Sequence, residues 1–151
     1  MKMLSLLFCF VTLAASAADK PYDESADAKR DIKQALATAT NNPVLIVFGA
    51  NWCPDCLMLD KAMKQGTTAP LLAKDFKIVK VDVGHFDKND EVAASYGVPL
   101  KKGIPAVAIL SPKGELLYVT KGGELSNARK MGEDGIYQFF KTVTASEKLK
   151  R

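Results

Sequence analysis

The chain has 151 residues, 48% of them hydrophobic and 25% charged, an ordinary globular balance with enough apolar material for one domain and a real core. Its formal net charge of +4 is spread along the sequence without a basic block, so nothing in it points to nucleic acid.

The first residues, "MKMLSLLFCFVTLAASAADK", place Lys2 before an apolar run from Met3 to Leu13, followed by small residues with Ala15 and Ala17 ahead of a cut before Ala18. This is the pattern of a secretory signal peptide. The run is well short of the roughly 20 apolar residues that span a bilayer. The sequence therefore predicts a cleaved signal at 1–17, a single domain at 18–151, and export, with the bacterial periplasm as the destination. Cys9 lies inside the apolar run and leaves with the signal, so Cys53 and Cys56 are the two thiols of the mature chain. A disulfide across a two-residue gap removes little unfolded-state entropy, which favours redox or metal chemistry over a structural staple.

After the signal, Ala28, Ile32, Ala35, Leu36 and Ala39 recur at helical spacing, predicting an amphipathic helix from about Ser25 to Thr40. "VLIVFGA" is short and continuously apolar, as a buried central strand is. The two cysteines follow at once. Pro54 suits the first turn of a helix that reaches about Gln65 before Gly66 breaks it. A short helical piece at "APLLAKDF" precedes a second strand, "KIVKVDVG", with Ile78, Val79, Val81 and Val83 read as buried. "NDEVAASYGV" reads as a helix, and "AVAILSPKGELLYVTKG" as two strands around a Pro-Lys-Gly turn. In "DGIYQFFKTVTASEKLK", Ile136, Phe139, Phe140 and Val143 share one face of a last helix. The order predicts one α/β domain with a central mixed sheet flanked by helices.

Strand, "ANWCPDC", helix, strand, helix, then "GIPAVAIL" and a hairpin ending in a helix resembles thioredoxin, from about Val44 to Phe140. The specific parts are the Trp-Cys-x-x-Cys at a helix start and the Ile104-Pro105 pair opening a later strand; the chain particularly resembles exported bacterial thioredoxin-like proteins, although Cys-Pro-Asp-Cys also occurs in other branches of the superfamily. The resemblance implies a thioredoxin fold and a thiol-disulfide oxidoreductase that needs no bound cofactor, its Cys53–Cys56 disulfide being the redox centre. It further implies protein disulfide or dithiol substrates, a monomer, and a membrane or thiol-protein electron donor. Independently of family, a cysteine at a helix amino terminus meets unpaired N–H groups and the positive end of the helix dipole, which stabilise its thiolate. Cys53 is then the nucleophile and Cys56, one turn on, the resolving thiol.

Pro54 and Asp55, between the cysteines, tune that thiol. A carboxylate roughly 7 Å from the Cys53 sulfur raises its pKa by roughly 0.4 to 1.7 units relative to a neutral residue there. Destabilising the thiolate pushes the pair towards reducing behaviour, so a reductase is expected rather than an oxidant. By resemblance, a cis Pro105 sits against the sulfurs, the Ile104 backbone pairs with a substrate strand, and Trp52 flanks the nucleophile as part of the docking surface. Met58, Leu59 and Met63 read as core.

The chain departs from thioredoxins at Val47, where they carry a buried acid, so Lys80 is expected to lack its usual acidic partner. Asp60 reads as a solvated ion pair with Lys64, four residues on. "VPLKKGIP" and residues 122–135 read as longer loops. Two other functions stay open. A copper(I) metallochaperone could use both thiols and His85, the chain's single histidine, although copper chaperones of this fold resemble a cysteine pair with three intervening residues; structural zinc lacks ligands, and no metal site is expected. A disulfide isomerase or oxidase is the other, and neither a second domain nor a dimer is visible in the sequence to favour it.

Overall fold

Every residue of strand β1 (Val44–Gly49) is buried. In this computed structural model, which describes residues 20–146 and Leu149, β1 has a partner on each edge. Strand β2 (Lys77–Asp82) runs parallel to it, from Val44 beside Lys77 to Gly49 beside Asp82. Strand β3 (Ala106–Leu110) runs antiparallel, and β4 (Leu116–Val119) pairs antiparallel with β3. The resulting order, β2-β1-β3-β4, is the mixed sheet expected of the thioredoxin fold. The signal peptide expected at 1–17 lies outside the described residues.

The parallel pairing of β1 and β2 requires a crossover, supplied by helices α2 (Pro54–Lys64) and α3 (Thr68–Asp75). Helix α1 (Ala28–Ala37) packs on β1 and β2, while α2, α3 and the last helix, α5 (Ala128–Thr144), pack against one another. Leu59, Leu72, Ile136 and Phe140 are fully buried in this arrangement. Helix α4 (Asp90–Ser95) and a 3-10 turn at Leu100–Lys102 complete the chain between β2 and β3.

Three sequence expectations need adjustment. Helix α1 starts later than Ser25 because Asp27 caps it, its carboxylate accepting the Arg30 N–H at 3.0 Å. Ile78 is exposed rather than buried, since it shares with Lys80 the less covered face of β2, while Val79 and Val81 face the other side and are buried. Helix α5 begins at Ala128, inside the segment read as a loop, and is broken at Gly132, whose φ of 66° suits a residue without Cβ. The glycine spacing that signals a loop is here a kink between two helical pieces. Among the described residues no helix is long and apolar enough to cross a membrane.

Candidate active site

Strand β1 delivers the chain to its carboxyl end, where Ala50, Asn51 and Trp52 turn it into α2. Cys53 is the N-cap of that helix, and its sulfur accepts the Cys56 N–H at 3.3 Å. Pro54 occupies the first turn, where its missing donor costs nothing. Both cysteines are buried and carry free thiols. Cys56 is fully enclosed, whereas Cys53 keeps 5% of its surface. Across from them the Ile104–Pro105 peptide is cis, and the Ile104 carbonyl lies 3.6 Å from the Cys53 sulfur as an acceptor for its thiol.

This geometry separates the two thiols. The Cys56 thiol donates to the Cys53 sulfur, and the Cys56 and Asp55 N–H groups add to it. Together they outweigh burial and hold Cys53 at about 7, down from 9.0. Cys56 moves the opposite way, because its proton is held by Cys53 and because its thiolate would be desolvated.

Asp55 acts on the Cys53 thiol in the direction the sequence reading expected, raising its pKa, but it does not decide where that thiol titrates. The Asp55 charge opposes the thiolate, but it acts less strongly than burial and the hydrogen bonds from Cys56 and the Asp55 N–H. Arg129, at the start of α5, explains why: its backbone N–H reaches Asp55 Oδ1 at 2.9 Å and its guanidinium spans both carboxylate oxygens at 3.3 Å. Burial works against the Asp55 charge, yet the Arg129 contacts prevail and hold the carboxyl below its ordinary value. A neutralised carboxylate repels a neighbouring thiolate less.

The acid missing at Val47 is replaced from the helix. Val47 and Lys80 are register partners on β1 and β2, and the Lys80 ammonium is ion-paired with Asp60 of α2. Asp60 also pairs with Lys64 at 2.9 Å, but it is only 6% exposed. The solvated pair expected from the i, i+4 spacing is thus one half of a three-residue cluster around a buried carboxylate, and Lys80 is not left without an acid. Sequence spacing reveals the Lys64 contact because it is local. The Lys80 contact depends on how α2 packs across the sheet.

Trp52 is 46% exposed beside the nucleophilic end of the helix. Its indole N–H donates to the Gly84 carbonyl at 2.8 Å, and its ring stacks on His85 at 5.1 Å. Phe86, 47% exposed, meets it edge-on. Among the described residues no group of three or more His, Cys, Asp or Glu side chains is placed to hold a metal ion, and His85 is engaged with Trp52 rather than gathered with the thiols. Sequence reasoning also passed over Tyr22. Its main chain is held at both polar atoms by the Asn51 amide, at 3.0 and 2.8 Å, and its ring is buried at the end of β1 against Gly49. No periodicity marks an isolated tyrosine ahead of the first helix.

Comparison with known proteins agrees with this geometry. A family model described as thioredoxin-like matches residues 25–112. A solved structure, described as a disulphide isomerase from Xylella fastidiosa Temecula1, is 52% identical, covers 85% of this chain and 99% of its own, and superposes with a TM-score of 0.81. Thioredoxin 1 of Chlorobaculum tepidum is 36% identical over 91 residues, 58% of this chain and 77% of the relative. Thioredoxin of Mycobacterium tuberculosis is 32% identical over 84 residues, 51% of this chain and 68% of the relative. The chain thus belongs to the thioredoxin-like family and is a thiol-disulfide oxidoreductase.

Proposed function

We propose that the chain is an exported reductase of protein disulfides, in which Cys53 attacks and Cys56 resolves. The observation that carries this reading is the division of labour between the thiols: Cys53 caps α2, is held at about 7 and retains a little exposure, while Cys56 is enclosed and reluctant to ionise. The Cys53 thiolate attacks a substrate sulfur, forming a mixed disulfide and releasing the first substrate thiol. Cys56 then attacks Cys53, closing the Cys53–Cys56 disulfide and releasing the second. Two electrons and two protons pass to the substrate, and the protein is returned to the dithiol by a membrane donor or another thiol protein.

A pKa of about 7 for the attacking thiol matches the thioredoxin range and lies far from the roughly 3.5 of the strong oxidant DsbA, which supports reduction over oxidation. Ile104 and Pro105 offer backbone to an extended substrate segment, and Trp52, with Phe86 beside it, gives that segment an exposed aromatic surface. The pattern of residues 1–17 supports export to the periplasm, and the chain is read as a monomer. The test is trapping. Cys56→Ser should accumulate a mixed disulfide with a disulfide-bonded protein substrate, and Cys53→Ser should form none; trapping through Cys56 in the Cys53→Ser protein would refute the assignment.

A second reading, disulfide isomerisation, is favoured by the 52% identity to the Xylella fastidiosa protein described as a disulphide isomerase. Recovery of activity from a scrambled disulfide-bonded enzyme without added reductant separates it from reduction.

A further inference from the structure

Phe86 holds a conformation that its residue type disfavours. Its φ of 66° is left-handed, a region that a bulky aromatic enters only as an outlier. Among the described residues the other non-glycine with positive φ is Asn89, a type that tolerates this region. Burial gives no compensation, since Phe86 is 47% exposed. Backbone strain of this kind persists only where the surroundings impose it, and it gathers at functional sites.

The surroundings do impose it. The loop after β2 is held at successive donors: the Gly84 N–H reaches Asp82 Oδ2 at 3.2 Å, the His85 N–H reaches Asp87 Oδ1 at 2.8 Å, and the Phe86 N–H reaches the Val83 carbonyl at 2.9 Å. The Asn89 amide closes the loop on the Asp82 carbonyl at 2.8 Å. Trp52 fastens the loop to the active site, through its indole N–H on the Gly84 carbonyl and the stacking of His85 on its ring. These bonds fix an aromatic ring at the surface, beside the residue that precedes the nucleophile.

Phe86 and Trp52 meet at 67° with ring centroids 6.0 Å apart, so the two half-exposed rings form a corner open to solvent. Five large hydrophobic side chains are exposed among the described residues, and three of them, Trp52, Phe86 and Leu57, are grouped about the nucleophile. Leu57 stands on the first turn of α2, its N–H on the Cys53 carbonyl at 3.1 Å. Exposed apolar surface gathered in one place marks an interaction site. The charged groups near the two rings are engaged: Asp87 with the His85 N–H, Lys88 with Asp82 and the Glu24 carbonyl, and Asp55 with Arg129. The surface offered between the rings is therefore apolar.

We propose that Phe86 is a specificity-determining residue, and that the corner it forms with Trp52 seats an aromatic side chain of the substrate close to the disulfide being reduced. This rests on the reading of Cys53 as the attacking thiol of a protein-disulfide reductase. A third ring in the corner meets one ring edge-on and the other face-on, arrangements that aromatic pairs prefer, so it gains more there than an aliphatic side chain of equal area. Trp52 adjoins Cys53, and Phe86 lies 6.0 Å beyond the Trp52 ring, about two residues of extended chain. The seated side chain thus belongs within about two residues of the attacked cysteine. Because the loop is hydrogen-bonded in its docking geometry before any substrate arrives, binding meets little ordering cost.

The test uses symmetric disulfides of a short peptide that carries Phe, Ala or Arg two residues from its cysteine. Each is mixed with the reduced full-length protein, quenched with acid, and the rate of peptide thiol release is read. Two peptide thiols appear as the Cys53–Cys56 disulfide closes, so no reductant is added. The Phe peptide should react about threefold to tenfold faster than the Ala peptide, the worth of one aromatic pair, and the Arg peptide should show no such advantage. Phe86→Gly, which suits the left-handed backbone, should bring the Phe-to-Ala ratio to about one, and Phe86→Tyr should keep it. Reading a ratio cancels any loss of folded protein or of Cys53 reactivity. Equal rates for the Phe and Ala peptides in the unaltered protein, a ratio that survives in Phe86→Gly, or a preference for the Arg peptide would overturn the inference alone. Failure to reduce any of the three would overturn the reductase reading and the inference with it.

Discussion

Asp60 of α2 and Lys80 of β2 form an ion pair in the packed layer between helix and sheet, one turn beyond the enclosed Cys56. Removing one partner of a buried pair leaves the other charge uncompensated, but Lys80 is 21% exposed and recovers part of its hydration. Asp60→Ala is therefore expected to cost about 1–3 kcal/mol of stability. Lys64, with its side chain 48% exposed, belongs to the surface class, and Lys64→Ala should cost less than about 1 kcal/mol. Urea unfolding of the two variants tests this ranking, which reverses if the local pair is the one that matters.

The Arg129 contacts screen Asp55 from the thiolate. Arg129→Ala should raise the Cys53 pKa above about 7, and Asp55→Asn should lower it, each by no more than roughly 1.7 units. Ultraviolet thiolate absorbance against pH measures both shifts, each read relative to a Cys56→Ser parent, in which Cys53 is the remaining thiol of the site and lacks the Cys56 thiol's hydrogen bond. Shifts in the same direction for the two variants would contradict the screening.

Titration of Cys53 also sets a pH dependence of stability. Its folded pKa of about 7 lies below the ordinary 9.0, so the thiolate form favours the folded chain. Below about pH 7 both states hold the thiol and the contribution vanishes; it grows as pH rises from about 7 to 9 and is fully present above that. Cys56 has the opposite sign: its raised pKa means that the unfolded chain ionises first, so its contribution is lost as pH rises above 9.0. The reduced protein should thus gain stability from pH 7 to 9 relative to its Cys53→Ser variant. A gain of equal size in Cys53→Ser would assign the effect elsewhere.

Gly49 is needed for the absence of its side chain. A Cβ there would lie 2.4 Å from the Tyr22 ring tip, so Gly49→Ala must displace a clamped aromatic, at a cost of about 1–3 kcal/mol. Tyr22→Phe removes an unpaired buried hydroxyl and should leave stability unchanged or raise it by about 1 kcal/mol. Thermal unfolding of both variants in the reduced state checks the pair of expectations.

What the sequence made legible is what is local. The unbroken apolar run of β1, the proline opening α2 and the cysteine spacing are each encoded within a few residues, and they placed the strand, the helix and the thiols. The ion pair of Asp60 with Lys80 joins residues 20 apart, and the Asp55–Arg129 contact joins residues 74 apart. Each exists because two helices or a helix and a strand pack together, so charge spacing along one helix suggested Lys64 alone. Tyr22 precedes any periodic segment, and its burial follows from a glycine 27 positions later that looks in sequence like the end of a strand. The start of α5 was hidden for a related reason: Gly132 has the composition of a loop and the role of a kink.

The reduction potential of the Cys53–Cys56 pair, read from the thiol state of the protein equilibrated with glutathione buffers, tests the central claim most directly. A thiolate held at about 7 and a reductase role predict a value near about −270 mV, the thioredoxin range. A value near about −120 mV, that of a strong oxidant, would contradict the account and make disulfide donation the function of the site.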